Sequence, residues 1–437
     1  MVNDDALIFV DCVAIQKKYI NLHQHVCVTK IKPKNKMKYI ETYQILKNNI
    51  NYIANQITIP GFIEIRNFTF TSNNCSILPD DSTEDTLNGY DRRYETGIMH
   101  EMLYVHDSDV KDNISFRYHV FSPIGTEKAK EIVLMLHGFN EKYWYKYLPW
   151  AKHIVDATGK TVVLFPIAFH MNRAPHEWSD ARLMYKVSNR RRELFPDIIH
   201  SSLSNAAIST RLHTKPQRFV WSGLQTYYDI IQFIDEYKSG LNPFIAPDAE
   251  IDIFAYSIGA FLAEILIMTN HNHYFEKSKL VMFCGGPVFN RLSPVSKFIL
   301  DSQANVALYS YMIEHLDSHL KNDAKLKYYL CERPEGMSFR SMLNYGIMSD
   351  FREKRLNAIA HKLLAVTLKQ DTVVPPYEVA NTLQGKYRDI PVKVDIYDLS
   401  YPYIHEDPFP NLEKISNKVD TEFNRLFDPI GKFLSKN

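Results

Sequence analysis

Three residues of the kinds that carry out nucleophilic catalysis follow one another along the chain as Ser257, Asp371 and His405. A serine hydroxyl is a poor nucleophile at neutral pH and needs a base within hydrogen-bond distance. A histidine can take the hydroxyl proton and later pass it to a leaving group, while an aspartate fixes the tautomer of the imidazole. The pattern predicts Ser257 as nucleophile, His405 as base and Asp371 as the acid that orients the base.

The residues around Ser257 are typical of a sharp turn between a strand and a helix. An apolar, β-favouring run at 251–256 leads into Ala255-x-Ser257-x-Gly259, and the apolar run at 261–268 has the length of a helix. A serine at such a turn exposes its Oγ at the carboxyl edge of the sheet, and its neighbours must be small because strand and helix nearly touch. The alternative is an ordinary helix start with Ser257 as its N-cap.

Asp371 and His405 each follow a later apolar run of strand length. Residues 362–368 precede Asp371, and residues 392–397 lie shortly before His405. Since the carboxyl ends of parallel strands meet at one edge of a sheet, ligands and catalytic groups collect there. We therefore expect both side chains at the same edge as the serine.

Alternative roles remain open for both residues. Asp371 could be an ordinary turn residue, with Asp395 or Asp398 as the acid. His405 could be a surface histidine solvated by the acids at 406–407.

A His-Gly turn after the buried run at 131–136 supplies another part of the predicted site. The negative charge that develops on a carbonyl oxygen under attack needs hydrogen-bond donors. The backbone N–H groups of Phe139, in this turn, and of Ile258, at the predicted helix start, are placed to form such an oxyanion hole. We expect His137 to hold the loop and not to react.

The remaining runs alternate between helix and strand in the way that builds a parallel sheet. They predict a helix at 143–157 with Gly159 as its C-cap, a strand at 161–166, a helix at 225–237 and a strand at 279–283. The fold class is therefore α/β, with a doubly wound, mostly parallel sheet.

From about residue 100 to 435 the chain resembles the α/β-hydrolase superfamily. The resemblance lies in the serine turn, the acid and histidine after later strands, and the His-Gly turn after an early strand. Ala255 departs from the usual glycine of the serine motif. The resemblance implies a serine hydrolase of the esterase and lipase kind that forms an acyl-enzyme. The alternatives are a peptidase or amidase with the same three residues, or a non-catalytic binding protein on the same fold.

The domain organisation that we predict has two parts. Residues 1–95 show no catalytic pattern and form an N-terminal arm packed on the main domain, residues 96–437. Two long insertions, at about 167–220 and 287–360, interrupt the main domain where strands end, so we expect them to cap the active site.

The loop after Pro166 is dense in polar and aromatic residues, which suggests a pocket wall. Among its residues, Asn172, Arg173 and His176 are candidates for substrate binding. Arg173 is the strongest of them, because its planar fork can grip a carboxylate or a pair of sugar hydroxyls. The alternative is a cap element held by its own hydrogen bonds.

Composition restricts the class of protein and its partners. The chain has 437 residues, 45% hydrophobic and 23% charged, as in a globular protein with a large core. A formal net charge of +1 argues against general binding to nucleic acid or a membrane surface. We expect a small-molecule substrate, no cofactor and no metal, since the pair in His271-Asn272-His273 lacks an acid or cysteine partner. The sequence does not define an oligomeric state.

The five cysteines indicate the compartment. They are odd in number and scattered, without Cys-x-x-Cys spacing, which is typical of free thiols in a reducing compartment. The first residues are acidic where a secretory signal would be basic, and no apolar run reaches the length of a membrane span. We therefore expect a cytoplasmic protein.

Overall fold

The computed structural model describes residues 37–79 and 105–435. The strands are β1 (Gln56–Ile59), β2 (Ile63–Thr71), β3 (Ser115–Ser122), β4 (Ala129–Leu136), β5 (Thr161–Leu164), β6 (Ile245–Tyr256), β7 (Leu280–Phe283), β8 (Leu363–Leu368) and β9 (Lys393–Tyr397). The α-helices are α1 (Tyr39–Asn49), α2 (Lys111–Ile114), α3 (Tyr147–Thr158), α4 (Ala181–Leu194), α5 (Ala206–Thr214), α6 (Arg218–Lys238), α7 (Ile258–Thr269), α8 (Ser302–Tyr309), α9 (Leu316–Asn322), α10 (Ala324–Lys327), α11 (Pro334–Ser341), α12 (Ser349–Ile359), α13 (Pro376–Leu383) and α14 (Ser416–Ser435).

All these strands form one mixed sheet in the order β1-β2-β3-β5-β4-β6-β7-β8-β9. The first three strands and the β3–β5 pair are antiparallel, whereas β5, β4, β6, β7, β8 and β9 run parallel. Helices cover both faces. This is the α/β fold with a mostly parallel sheet that the sequence predicted.

The central strands are buried on both faces, and their side chains divide between two hydrophobic cores. Along β4, Leu134 and Leu136 enter the core that contains α6 and α7, while Val133 and Met135 enter the core that contains α1, α3 and α14. A strand buried on both sides reads as a continuous apolar run, which is why these strands were recognisable in the sequence.

The C-terminal helix α14 closes the second core against α3. The two helices approach so closely at Gly431 that a Cβ there would lie 2.5 Å from the Cβ of Ala157. Phe427 packs against Trp150 with the ring centroids 5.7 Å apart. The sheet face beneath α3 therefore depends on the last residues of the chain.

Residues 39–71 join the main sheet directly, because β1 and β2 extend it from β3. The helix α1 ends at Asn49, before the polar stretch that leads into β1. Asn51 explains the end of the helix: its side chain accepts hydrogen bonds from the backbone N–H groups of Ile53 and Ala54, a local turn that competes with helix.

The two long insertions are tied to each other. The guanidinium of Arg191 in α4 makes two hydrogen bonds to Asp301, of 2.7 and 2.8 Å, and both side chains are fully buried. Asn205 donates to the backbone oxygen of Ser296 at 2.9 Å. Fork-shaped pairing of this kind fixes orientation as well as distance, so the insertions are held in one arrangement.

Three of the cysteines, Cys75, Cys284 and Cys331, are free thiols, and Cys12 and Cys27 lie outside the described residues. Within the described ranges we find no helix that combines the length and the apolar character needed to cross a bilayer.

Candidate active site

Ser257 lies at the turn between β6 and α7 in a backbone conformation that side chains rarely adopt, with φ 55° and ψ −121°. Its side chain makes no capping bond to the helix, so the N-cap alternative does not hold. Strand and helix do nearly touch: a Cβ at Gly259 would lie 2.7 Å from the backbone oxygen of His137. The methyl group of Ala255, in contrast, is fully buried without disturbing the turn.

His405 connects the serine to an acid. Its Nε2 lies 2.8 Å from Ser257 Oγ, and its Nδ1 lies 2.7 Å from Asp371 Oδ2. The other carboxylate oxygen of Asp371 accepts from the backbone N–H groups of Val373 and Val374 at 2.9 and 2.8 Å. A carboxylate oxygen only accepts, so Nδ1 donates and Nε2 is left as an acceptor facing the hydroxyl.

The structure does not support the alternative acids or the alternative surface role of His405. Asp398 accepts from Gln370 at 2.8 Å, and Asp395 pairs with Lys393 at 2.8 Å. His405 is only 4% exposed, which rules out a solvated surface histidine. The structure thus brings together Ser257, His405 and Asp371, and leaves the other two aspartates out of that group.

Two residues that the sequence did not single out surround His405. The ring of Tyr256 stacks on the imidazole with centroids 5.4 Å apart, and its hydroxyl donates to the backbone oxygen of His405. The thiol of Cys284 lies within 4.8 Å of ligand atoms of both Asp371 and His405. Their positions in the sequence were the only available indication that they lie near the site, since Tyr256 precedes Ser257 and Cys284 directly follows β7.

Cys284, Asp371 and His405 are of types that ligate metals, yet their state does not fit a metal site. Burial and the neighbouring Asp371 raise the pKa of the Cys284 thiol well above its ordinary value. His405 Nδ1 and Asp371 Oδ2 already satisfy each other. The three residues fit a hydrogen-bonded group better than a coordination sphere.

The His-Gly turn is braced from both sides. Gly138 N–H donates to the hydroxyl of Tyr147 at 2.8 Å, and Ile167 N–H donates to His137 Nε2 at 2.9 Å. Burial lowers the pKa of His137 well below its ordinary value, so the ring stays neutral and can accept this bond. His137 holds the loop, as we expected.

The two predicted oxyanion donors belong to residues that line the same cavity as Ser257. Phe139 follows the His-Gly turn, and Ile258 is the first residue of α7, whose N–H has no acceptor within its own helix. The helix also directs the positive end of its dipole toward this point.

Beside Ser257 lies a cavity of three adjoining lobes that share Phe139 and Phe219. The apolar lobe contains Ser257 and is lined by Phe261, Phe289, Leu292, Leu300 and Val374. The second lobe is the most polar of the three, with Asn140, Lys142, His170, Ser179 and Arg211, although Phe169, Met171, Trp178 and Leu212 line it as well; we call it the polar lobe. The third lobe is again apolar, with Ile167, Tyr227, Leu262, Ile265 and Phe339. Both insertions contribute side chains to this cavity.

The three residues proposed for substrate binding do not line the cavity. Arg173 is fully buried and pairs with Asp229 at 2.7 Å. It also donates to Asn113 Oδ1 at 3.0 Å, so its fork is occupied inside the protein. Asn172 is exposed and donates to a backbone oxygen, and His176 is exposed as well. The expectation of a substrate anchor at Arg173 was wrong because its partner is distant in sequence.

Comparisons with known proteins identify one matching family and several similar solved structures. Residues 37–435 match a family of unknown function (DUF6051). No curated protein matches the sequence.

Among solved structures, carboxyl esterase 2 from the mycorrhizal fungus Tuber melanosporum is 9% identical, with a TM-score of 0.44 over 90% of this chain and 96% of that one. A thermostable esterase from Pseudomonas putida is 9% identical, with a TM-score of 0.41 over 92% of each chain. A soluble variant of monoglyceride lipase from Saccharomyces cerevisiae is 13% identical, with a TM-score of 0.38 over 72% of this chain and 92% of that one.

Proposed function

This chain belongs to DUF6051, a family of unknown function, and we propose that it is a serine hydrolase that cleaves carboxylic esters through an acyl-enzyme on Ser257. The observation that carries the proposal is the unbroken series of hydrogen bonds from Ser257 Oγ through the His405 ring to Asp371. It lies at the carboxyl edge of the sheet and opens onto an apolar lobe that suits a hydrocarbon arm.

In the proposed reaction, Ser257 Oγ attacks the ester carbonyl carbon while its proton passes to His405 Nε2. The bond between that carbon and the alcohol oxygen then breaks, and Nε2 returns the proton to the alcohol. Water attacks the acyl group by the same route and releases the acid and the free serine. Asp371 accepts the bond from Nδ1 throughout and stabilises the imidazolium.

The negative charge on the former carbonyl oxygen is the other requirement of this chemistry. We propose that the N–H groups of Phe139 and Ile258 donate to it. Each such donor contributes about 3 kcal/mol to lowering the barrier. The neutral ring of His137 accepts a hydrogen bond from Ile167, and this bond holds the turn that contains Phe139.

The test is covalent labelling with a fluorophosphonate probe, together with turnover of 4-nitrophenyl butyrate. We expect the wild type to take the label on Ser257 and to release nitrophenol. Ser257→Ala should lose both labelling and turnover while keeping the melting temperature within a few degrees, because it removes one oxygen from a half-buried site.

Ser239→Ala is the matched control, since Ser239 is an exposed serine at the end of α6. It should retain labelling and turnover. A wild type that neither takes the probe nor cleaves any small ester would favour a binding protein on this fold.

A further inference from the structure

Two residues of the polar lobe have complementary hydrogen-bonding atoms: the half-buried Lys142 offers a donor and the buried His170 offers an acceptor. Lys142 Nζ donates to the backbone oxygen of Trp178 at 3.3 Å and forms no ion pair with any carboxylate in the described ranges. Burial lowers the pKa of Lys142 to about 8. An ammonium group has three hydrogens, so this bond leaves at least two for other acceptors.

His170 presents the complementary atom. Its Nδ1 lies 2.9 Å from the backbone oxygen of Ala168, and because a carbonyl oxygen only accepts, Nδ1 carries the hydrogen. Nε2 is therefore an acceptor. This atom is buried and has no hydrogen-bond partner within residues 37–79 and 105–435. Burial lowers the pKa of His170 to about 4, so the ring stays neutral at physiological pH.

A ligand group that satisfies both residues must accept from Lys142 and donate to His170. A hydroxyl group does both. A carboxylate would satisfy Lys142 but would face the lone pair of His170 Nε2 with a further acceptor. An alkyl group would leave both atoms unpaired, which disfavours binding.

Building on the proposed ester hydrolysis, we propose that the substrate is an ester with one hydroxylated arm, held in the polar lobe by Lys142 as donor and His170 as acceptor. The other arm occupies the apolar lobe next to Ser257. Phe139 and Phe219 line both lobes, so the lobes adjoin, as the two arms of a single ester require. The hydroxyl can belong to the alcohol or to the acid, and the two are separable by substrate choice.

The experiment compares kcat/KM for esters of matched length. On the alcohol side these are propyl butyrate, 2,3-dihydroxypropyl butyrate and 2-carboxyethyl butyrate. On the acid side they are the 4-nitrophenyl esters of pentanoate and 3-hydroxypentanoate. We expect the hydroxylated ester of one series to exceed its alkyl counterpart by roughly tenfold or more, because buried polar atoms left unpaired penalise the alkyl ester.

Variants assign the preference to the two residues. His170→Phe should reduce the hydroxyl-to-alkyl ratio roughly three- to tenfold, and Lys142→Met roughly tenfold or more, since a bond to a charged donor is stronger. His170→Gln and Lys142→Arg keep an acceptor and a donor and should preserve much of the ratio. Lys130→Met, which changes an exposed lysine at the other end of β4, should leave it unchanged.

The outcomes separate this inference from the proposed function. A wild type that takes the probe and cleaves alkyl esters, but shows no hydroxyl preference in either series, overturns the inference and leaves the serine hydrolase standing. A preference for the carboxylate ester overturns the hydroxyl assignment. Absence of labelling and of all ester turnover contradicts the proposed function and this inference with it.

Discussion

At the scale of single residues, the proposed chemistry depends on which ring nitrogen of His405 carries the proton. Asp371 sets this, because its carboxylate accepts from Nδ1 and is itself held by the N–H groups of Val373 and Val374. The acid is therefore rigid before any substrate arrives, and the imidazole is oriented by it.

Asp371→Asn should cost roughly 10³- to 10⁴-fold in kcat for an activated ester, because an amide can donate to Nδ1 and stabilise the wrong tautomer. Asp398→Asn is the matched control and should stay close to the wild type, since Asp398 contacts Gln370 and Lys369 at the surface. Steady-state kinetics on both variants decide the matter. A large loss in Asp398→Asn with a nearly silent Asp371→Asn would reassign the acid.

The sequence predicted that Ser257, Asp371 and His405 lie at one edge of the sheet, because each follows a run of residues that is recognisable as a strand. It could not find Cys284 or the stacking of Tyr256 on His405, which depend on how neighbouring strands pack. It assigned Arg173 to the substrate because a fork-shaped cation in a loop looks available, whereas its partner Asp229 lies 56 residues further on. The catalytic roles themselves remain predictions.

At the scale of elements, Arg173 acts as a clamp. It joins the loop after β5 to α6 through Asp229 and to the end of α2 through Asn113. This loop carries His170 and Trp178 into the polar lobe. The clamp therefore fixes a cavity wall without contacting the cavity.

Arg173→Met should destabilise the protein by about 3–5 kcal/mol, because it leaves the buried carboxylate of Asp229 without the cation that it pairs with. Chemical denaturation measures this directly. Arg190→Met, at an exposed arginine of α4, should change the unfolding free energy by less than about 0.5 kcal/mol. Unchanged stability of Arg173→Met, with a raised KM for acidic esters alone, would restore the substrate role.

The sequence was sufficient to predict strands that are buried on both faces. It was not sufficient to predict which strands pair with each other. The runs at 131–136 and 362–368 could be recognised as strands without their neighbours. The pairing of β2 with β3, in contrast, could not be predicted, because nothing in the residues of β2 reveals its partner strand. Long insertions are harder still, since their helices depend on contacts such as Arg191 with Asp301.

At the scale of the whole molecule, buried neutral histidines couple folding to pH. Burial lowers the pKa of His119 to about 3, and the side chain is only 1% exposed. The folded protein thus keeps His119 neutral, while the unfolded chain binds a proton near pH 6.5. Below that value the unfolded state holds more protons, so this residue reduces stability as pH falls from about 6.5 toward about 3.

His119→Gln removes this titration and should destabilise the protein less at acid pH than at neutral pH. The gap in unfolding free energy between the wild type and the variant should shrink by roughly 1 kcal/mol from pH 6 to pH 5. Urea denaturation at the two pH values gives the gap. A gap that is the same at both pH values would contradict the coupling.

The docking of α1 and α14 on one face of the sheet has a consequence for synthesis on the ribosome. Tyr39 N–H bonds to the Asp420 side chain, 381 residues later, and Lys38 reaches Asn417. The strands of the sheet are translated before α14, so the apolar surface of α3 around Trp150 stays uncovered until α14 has been made. A nascent chain stalled before residue 416 would expose that surface, which makes it a natural binding point for chaperones during biogenesis.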